Sequence, residues 1–499
     1  MSAKHSATLR GLMSTPKSPS FQGRFGRMFR SLPPAQFGSS EVENAANLHK
    51  LGEAMSSGFD QPKDGKDDEE SGIPALYTYL GQFIDHDITF DPASSLQKHN
   101  DPDALTDYRT PAFDLDNVYG RGPDDQPYMY NGQAFLLGDP LNGGDPNATD
   151  LPRNNANPRR ALIGDPRNDE NTIVSQFQGL FLRFHNRTLQ ENSGLTFESV
   201  QRLVRFHYQY VVINDFLPRI VDSHVLNDLK SGDHYDASKL KFFHWKHEPF
   251  MPIEFSVAAY RLGHSMIRPG YRLNDSILLP IFPIPPQFPE GLTGFRAMNP
   301  AWAIDWGRFI NTDVRKYDGT PADQAKRLQF AYRIDTALVN PLKNLPPAVV
   351  SNPPPSLAER NLLRGWRLRL PSGQDVARAM GIHPLGDKDI LIGQSVDTPE
   401  KPLGAITDVS NVFKGNCPLW TYILAEAMHH KHSVKIPVQE SIHINTPRLG
   451  PVGGRIVAEV FLGLIFGDKS SLLSLEPQWK PQTGPNYALK DFVAYALGR

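Results

Sequence analysis

Cysteine is almost missing from this chain. Cys417 is the single example in 499 residues, so no internal disulfide can form. That fits a reducing compartment, although a core of this size needs no covalent staples anywhere. A long apolar run is also missing, and no stretch would span a bilayer as a helix. Neither sign of charge is in excess: 52 Lys and Arg stand against 54 Asp and Glu, a net charge of −2. The electrostatic case for a nucleic-acid partner is thereby removed. The chain has no G-x-x-x-x-G-K-[ST], no G-x-G-x-x-G and no H-E-x-x-H, so phosphate-loop and zincin chemistry find no motif. There is no internal repeat and little strand-like alternation. The first 40 residues carry six Lys and Arg and no acid, but lack the apolar segment of a secretory signal. They read as a basic, Ser/Arg/Pro-rich arm with little regular structure, leaving the cytoplasm and export without a classical signal both open.

What is present is helical. Apolar residues recur at helical spacing over 74–90, 166–190, 196–216, 252–268, 417–430 and 452–466. Between them lie an acidic loop at 60–71, a Gly/Asn/Asp/Pro-rich stretch at 131–160, and proline-rich breaks from Pro280 to Pro289 and from Pro346 to Pro355. The expected fold is mainly α: one large helical domain over 41–499, with long loops and little β-structure. Nothing demands more than a monomer.

Four segments carry unusual polar residues. In LYTYLGQFIDHDITF, the residues Gln82, Asp85 and His86 fall at i, i+3 and i+4 and share one helix face. Asp87 points into the apolar stripe, which calls for a cationic partner, an arginine, a lysine or a metal ion. TPAFDLDNVYG offers Thr110, Ala112, Asp114 and Asp116 in alternation, a set of hydroxyl, carbonyl and carboxylate oxygens that suits a hard cation such as Ca²⁺. A solvated turn is the plainer reading of that stretch. In GDPRNDENTIVSQFQGLFLRFHNR, Asp165 is an N-cap and Pro166 a first helical residue. Arg167 and Glu170 then point to one site or form a local salt bridge. PIEFSVAAYRLGHSMIRP reads as a helix between Pro252 and Pro269, with Ile253, Val257, Tyr260, His264 and Ile267 on one face. His264 is then either a core histidine or a neutral imidazole that can ligate haem iron, with Arg261 and Arg268 at the edge where a propionate could pair. Cys417 reads as a packed or capping residue, and His429, His430 and His432 as the solvated end of a helix.

Taken together, GQFIDHD, TPAFDLDNVYG, GDPRNDE with FLRFHNR, and AAYRLGHSMIRP resemble the animal-type haem peroxidases of the peroxidase–cyclooxygenase superfamily, over most of residues 24–495. The GRFGRMF start and the closing GGRIVAEVFLGLIFGDKSSLLSLEPQW look closest to bacterial members. The resemblance implies haem b and a peroxidase that reduces hydrogen peroxide through an oxoferryl intermediate. It would then oxidise a phenolic donor, a halide or thiocyanate. His86 takes the place of the distal histidine, Gln82 that of its neighbour, Arg167 that of the distal arginine and His264 that of the proximal ligand. Asp85 and Glu170 stand where mammalian members form ester links to haem, and Asp87, Thr110, Ala112, Asp114 and Asp116 stand at the calcium site. Gln374 falls where the family places an asparagine bonded to the proximal imidazole. Asn171 replaces the methionine of the sulfonium link in mammalian members, so no such link is expected, and the disulfides of secreted mammalian members are absent. Two other readings follow from the same superfamily. A fatty-acid dioxygenase carries a catalytic tyrosine three residues before the proximal histidine, where this chain has Arg261 and, one residue away, Tyr260. A peroxinectin-like adhesion protein with vestigial haem is the non-enzymatic reading; no RGD string is present.

Overall fold

The computed structural model describes residues 25–58, 60–89, 110–246, 248–347, 349–350, 352–398, 402–439 and 441–499. The arm expected at 1–40 lies outside the described residues up to residue 24. From residue 25 it is part of the domain: Phe25–Gly26 pairs with Met251–Pro252, and Phe29 and Phe37 are buried in the core.

Among the described residues, eight helices have eight or more residues: α1 (Glu41–Ala54), α2 (Leu76–Ile88), α3 (Thr172–Glu191), α4 (Phe197–Val211), α5 (Leu357–Arg367), α6 (Leu419–His429), α7 (Pro451–Gly467) and α8 (Leu489–Ala496). Each sheet among those residues has only two strands. The mainly helical architecture is the one the apolar spacing implied. α7 is buried along nearly its whole length and forms the centre of the core, and α6, the 254–264 segment and the short helix Ser223–Asn227 pack around it.

Two of the helical segments that depart from regular geometry carry the polar residues singled out in the sequence. The segment starting at Pro166 is two elements rather than one. Asp165 caps a short 3₁₀ turn, Pro166–Asp169, by accepting from the Arg167 N–H. The chain then extends at Asn171, whose side chain caps α3 by accepting from the N–H groups of Ile173 and Val174. Glu170 therefore sits at a corner, free to leave the helix axis.

The segment 253–268 is no regular α-helix either. It is a wide π turn, Glu254–Ala258, followed by a tight 3₁₀ stretch, Ala259–His264. The buried Glu254 carboxylate holds the first turn by accepting from the backbone N–H of Met28 and Phe29, both at 3.1 Å. In a 3₁₀ helix residues i and i+3 eclipse, so Arg261, and not Tyr260, comes to lie in line with His264.

Helix α5 ends in a Schellman motif. The Leu370 N–H donates to the Gly365 carbonyl at 3.0 Å and the Arg369 N–H to the Trp366 carbonyl at 2.9 Å. Arg369 occupies the left-handed position at φ 58° with an exposed side chain, where an L-residue other than glycine is strained. Arg369→Gly is expected to stabilise the chain by about 1 kcal/mol, a rise in Tm of about 1–2 °C. Calorimetry of the two proteins checks it.

The strand that leads into α2, Glu70–Pro74, is flanked by a group of acids. Burial, then the charges of Asp60, Asp67 and Asp335, pushes Glu69 up to about 8. Burial pushes Asp335 up to about 7. Above the ordinary carboxylate range the folded chain thus keeps protons that the unfolded chain has released, so stability falls as pH rises. Tm is expected to decline between about pH 5 and pH 8, and less steeply in Glu69→Gln. A pH series of thermal melts on both proteins decides it.

Candidate functional site

One side of the candidate site is built on α2. Gln82 and His86 lie one turn apart and both meet Glu170: the Gln82 amide donates to Glu170 Oε1, and His86 Nε2 is 3.3 Å from the same oxygen. The other ring nitrogen is fixed: His86 Nδ1 lies 2.7 Å from Asn168 Oδ1. A carboxamide oxygen only accepts, so Nδ1 carries the hydrogen and the neutral ring keeps its lone pair on Nε2. Asn168 is oriented in turn, its amide donating to Gln178 Oε1 at 2.8 Å. His86, Asn168 and Gln178 are all buried.

Arg167 sits at the end of α2. Its guanidinium donates to the carbonyls of His86, at 3.0 Å, and Thr89, and to Asp165 Oδ2 at 2.9 Å. Those carbonyls belong to the last turn, where a cation is favoured. Asp85 accepts from the Thr89 hydroxyl at 3.1 Å, and its charge is felt by Tyr260 and Arg261 across the site.

The other side is built on the 3₁₀ stretch and α5. His264 Nδ1 lies 2.8 Å from the Asn361 side-chain amide, and Arg261 donates to the same amide at 3.3 Å. This corrects the expectation for Gln374, which is buried away from His264 and accepts from the Cys417 N–H at 2.8 Å. An asparagine, Asn361, meets the imidazole instead, thirteen residues earlier in the same stretch. Its signal was legible: Asn361 falls with Ala358 and Leu362 on the apolar face of α5, a polar residue aimed inward. Arg268 is also not a propionate partner; it is buried and donates to Glu70 Oε1 at 2.8 Å and the Phe330 carbonyl at 3.0 Å. Desolvation, then the nearby Arg261 charge, pushes His264 down to about 3, so the imidazole is neutral at any working pH. Desolvation and Arg364 bring Arg261 down to about 10. The two sides join where the Tyr260 hydroxyl donates to the Gly81 carbonyl of α2 at 3.2 Å. Tyr260 stacks on Phe255 and meets Phe461.

Asp87 is fully buried, and Asp114 and Asp116 nearly so. The two chain segments do converge: burial pushes the Tyr208 phenol well above its ordinary range, with Asp87 and Asp114 both adding to the shift. Asp114 Oδ1 also accepts from the Asp116 N–H at 3.2 Å, and Leu115 between them is left-handed at φ 61°. Thr110 and Ala112 are in the same turn, with the Ala112 N–H on the Thr110 carbonyl. Among the described residues no group of three or more His, Cys, Asp or Glu stands in metal-holding geometry.

Residues 94–282 match the animal haem peroxidase family. Two relatives align in part: a dual oxidase of Drosophila melanogaster, 26% identical over 168 residues, and a peroxidase-like protein of Margaritifera margaritifera, 29% identical over 119 residues. These alignments take in 32% and 21% of this chain, and only 10% and 14% of the relatives. The fold is similar to that of Peroxidase A from Dictyostelium discoideum, with a TM-score of 0.57 at 17% identity over 93% of this chain and 90% of that one. It is also similar to the fatty acid alpha-dioxygenase of Oryza sativa, with a TM-score of 0.53 at 15% identity over 96% of this chain and 80% of that one. The family match is thus carried by residues 94–282, and the fold is one shared by a peroxidase and a fatty acid dioxygenase.

Proposed function

We propose that the chain is a haem peroxidase that reduces hydrogen peroxide and oxidises phenolic donors, halide or thiocyanate. One observation carries this reading. Two imidazoles from distant stretches of chain each have Nδ1 on a buried amide, Asn168 for His86 and Asn361 for His264. His86 offers its Nε2 lone pair as placed, and His264 does so when the Asn361 oxygen is turned to Nδ1.

The residues fit a haem. His264 is neutral and desolvated, as an iron ligand must be. The Asn361 amide nitrogen lies on Nδ1 and its oxygen accepts from Arg261; turning the amide over gives up the Arg261 bond and puts the oxygen on Nδ1, so that Nδ1–H donates and Nε2 is left for the metal. Arg261 supplies a positive charge beside it. Asp85 and Glu170 are the carboxylates available for ester links. Bound haem supplies the iron at which peroxide is reduced and the oxidising power that donors consume.

His86 does the proton work: Nε2 takes a proton from the near peroxide oxygen and returns it to the departing one. Asn168 keeps the ring in that tautomer. Gln82 and Glu170 position water or a small donor beside it. Arg167 holds the end of α2 and adds fixed positive charge as the O–O bond breaks. A calcium ion held by Asp87, Asp114, Asp116 and oxygens of Thr110 and Ala112 would tie the residue next to His86 to the 110–116 turn.

An optical spectrum of the purified protein tests the reading: a haem band that changes on adding peroxide supports it, and a haem band inert to peroxide refutes it. Acid-acetone extraction of the same sample reports the ester links. The dioxygenase reading has a specific obstacle, Arg261 in the tyrosine's place, and Tyr260 is engaged by the Gly81 carbonyl. Oxygen uptake with a fatty acid, abolished in Tyr260→Phe, would favour it.

A further inference from the structure

We propose that Tyr495 is a surface oxidation site, at which donors too large for the distal pocket give up electrons. The inference rests on the peroxidase reading above.

A row of aromatic rings runs from α2 to the surface. Phe83 lies one turn before His86, and its ring is flat on Phe181, with centroids 4.3 Å apart and planes at 10°. Phe181 meets Phe492 at 4.7 Å. Phe492 stacks on Phe184 at 4.3 Å and 12°, and Phe184 meets Tyr495 at 4.5 Å. The four phenyl rings are buried and taken alone are ordinary core.

Tyr495 differs from them in three ways. It is a phenol, far easier to oxidise than a phenyl ring. It is partly exposed, and its partner Glu191 is at the surface. Its hydroxyl donates to Glu191 Oε2 at 2.6 Å, which gives the phenolic proton a base to go to when the ring loses an electron. The Arg187 guanidinium lies 4.4 Å over the Tyr495 ring and donates to Glu191 Oε1 at 2.7 Å, keeping that carboxylate in place. The phenyl rings hold no charge themselves; they are a close-packed medium for tunnelling.

The step balances as follows. One electron leaves the Tyr495 phenol for haem that peroxide has oxidised, and the phenolic proton passes to Glu191. A surface phenolic donor then returns one electron, Glu191 gives its proton back to the Tyr495 oxygen, and the donor's own proton goes to solvent. Two such events, with two protons drawn from solvent at the peroxide, consume one peroxide, which leaves as two waters.

The test uses the full haem-loaded chain, hydrogen peroxide and the spin trap 2-methyl-2-nitrosopropane, with adducts located by peptide mass spectrometry. Turnover is measured in parallel with free guaiacol and with guaiacol tethered to a polyethylene glycol too large to enter the pocket. The expected result is a trap adduct on Tyr495 in the wild type. In Tyr495→Phe that adduct is gone and tethered-guaiacol turnover falls by about tenfold, with free guaiacol unaffected. Glu191→Gln keeps the phenol, loses the proton acceptor and lowers the adduct yield. Equal turnover of the tethered donor by wild type and Tyr495→Phe, or labelling confined to other residues, overturns the proposal while leaving the peroxidase reading intact. A wild type that consumes no peroxide overturns both.

Discussion

Haem-loaded protein carrying His86→Ala is expected to react with hydrogen peroxide about 10²–10⁴-fold more slowly than wild type, the range a positioned general base contributes. The haem itself should stay, because His264 and Asn361 are untouched by the change. Stopped-flow spectra on mixing with peroxide give the rate directly, and a rate equal to wild type would remove His86 from the reaction. Asn168→Leu separates base from orientation. It removes the oxygen that accepts from Nδ1–H and leaves the amide of Gln178 facing an apolar group. The imidazole remains, but its tautomer is no longer set, so an intermediate loss of about 10–100-fold is expected.

On the opposite face, His264→Ala is expected to release haem during gel filtration, whereas Asn361→Leu keeps it with affinity or activity lowered by about 10–100-fold, the usual cost of losing a ligand's hydrogen-bond partner. Gln374→Leu serves as the contrast. Its oxygen accepts from the Cys417 N–H, so the change affects the packing before α6 and leaves the His264 imidazole alone. A haem affinity lowered by Gln374→Leu and untouched by Asn361→Leu would reverse the assignment made here.

Much of this arrangement can be read in the sequence because the polar residues interrupt apolar periodicity. Gln82, Asp85 and His86 share a face of α2, and Asp87 is buried as its direction in the helix implies. What the periodicity misses is local geometry that deviates from 100° per residue. Assuming an α-helix over 253–268 puts Tyr260 beside His264; the π turn followed by 3₁₀ puts Arg261 there and sends Tyr260 to Gly81. Likewise one helix from Pro166 hides the corner at Asn171 that lets Glu170 reach His86 and Gln82. The amides that fix the two imidazoles, Asn168 and Asn361, are long-range partners, 82 and 97 residues from the histidines they touch. No spacing rule links residues so far apart, although Asn361 on the apolar face of α5 is a sign that something polar must meet it.

A crystal structure of the haem-loaded protein tests the central claim most directly. It should show one porphyrin between the two histidines, with iron bonded to His264 Nε2 and His86 Nε2 facing the open side. Iron held by any other residue, or the two imidazoles opening into separate cavities, would contradict the account.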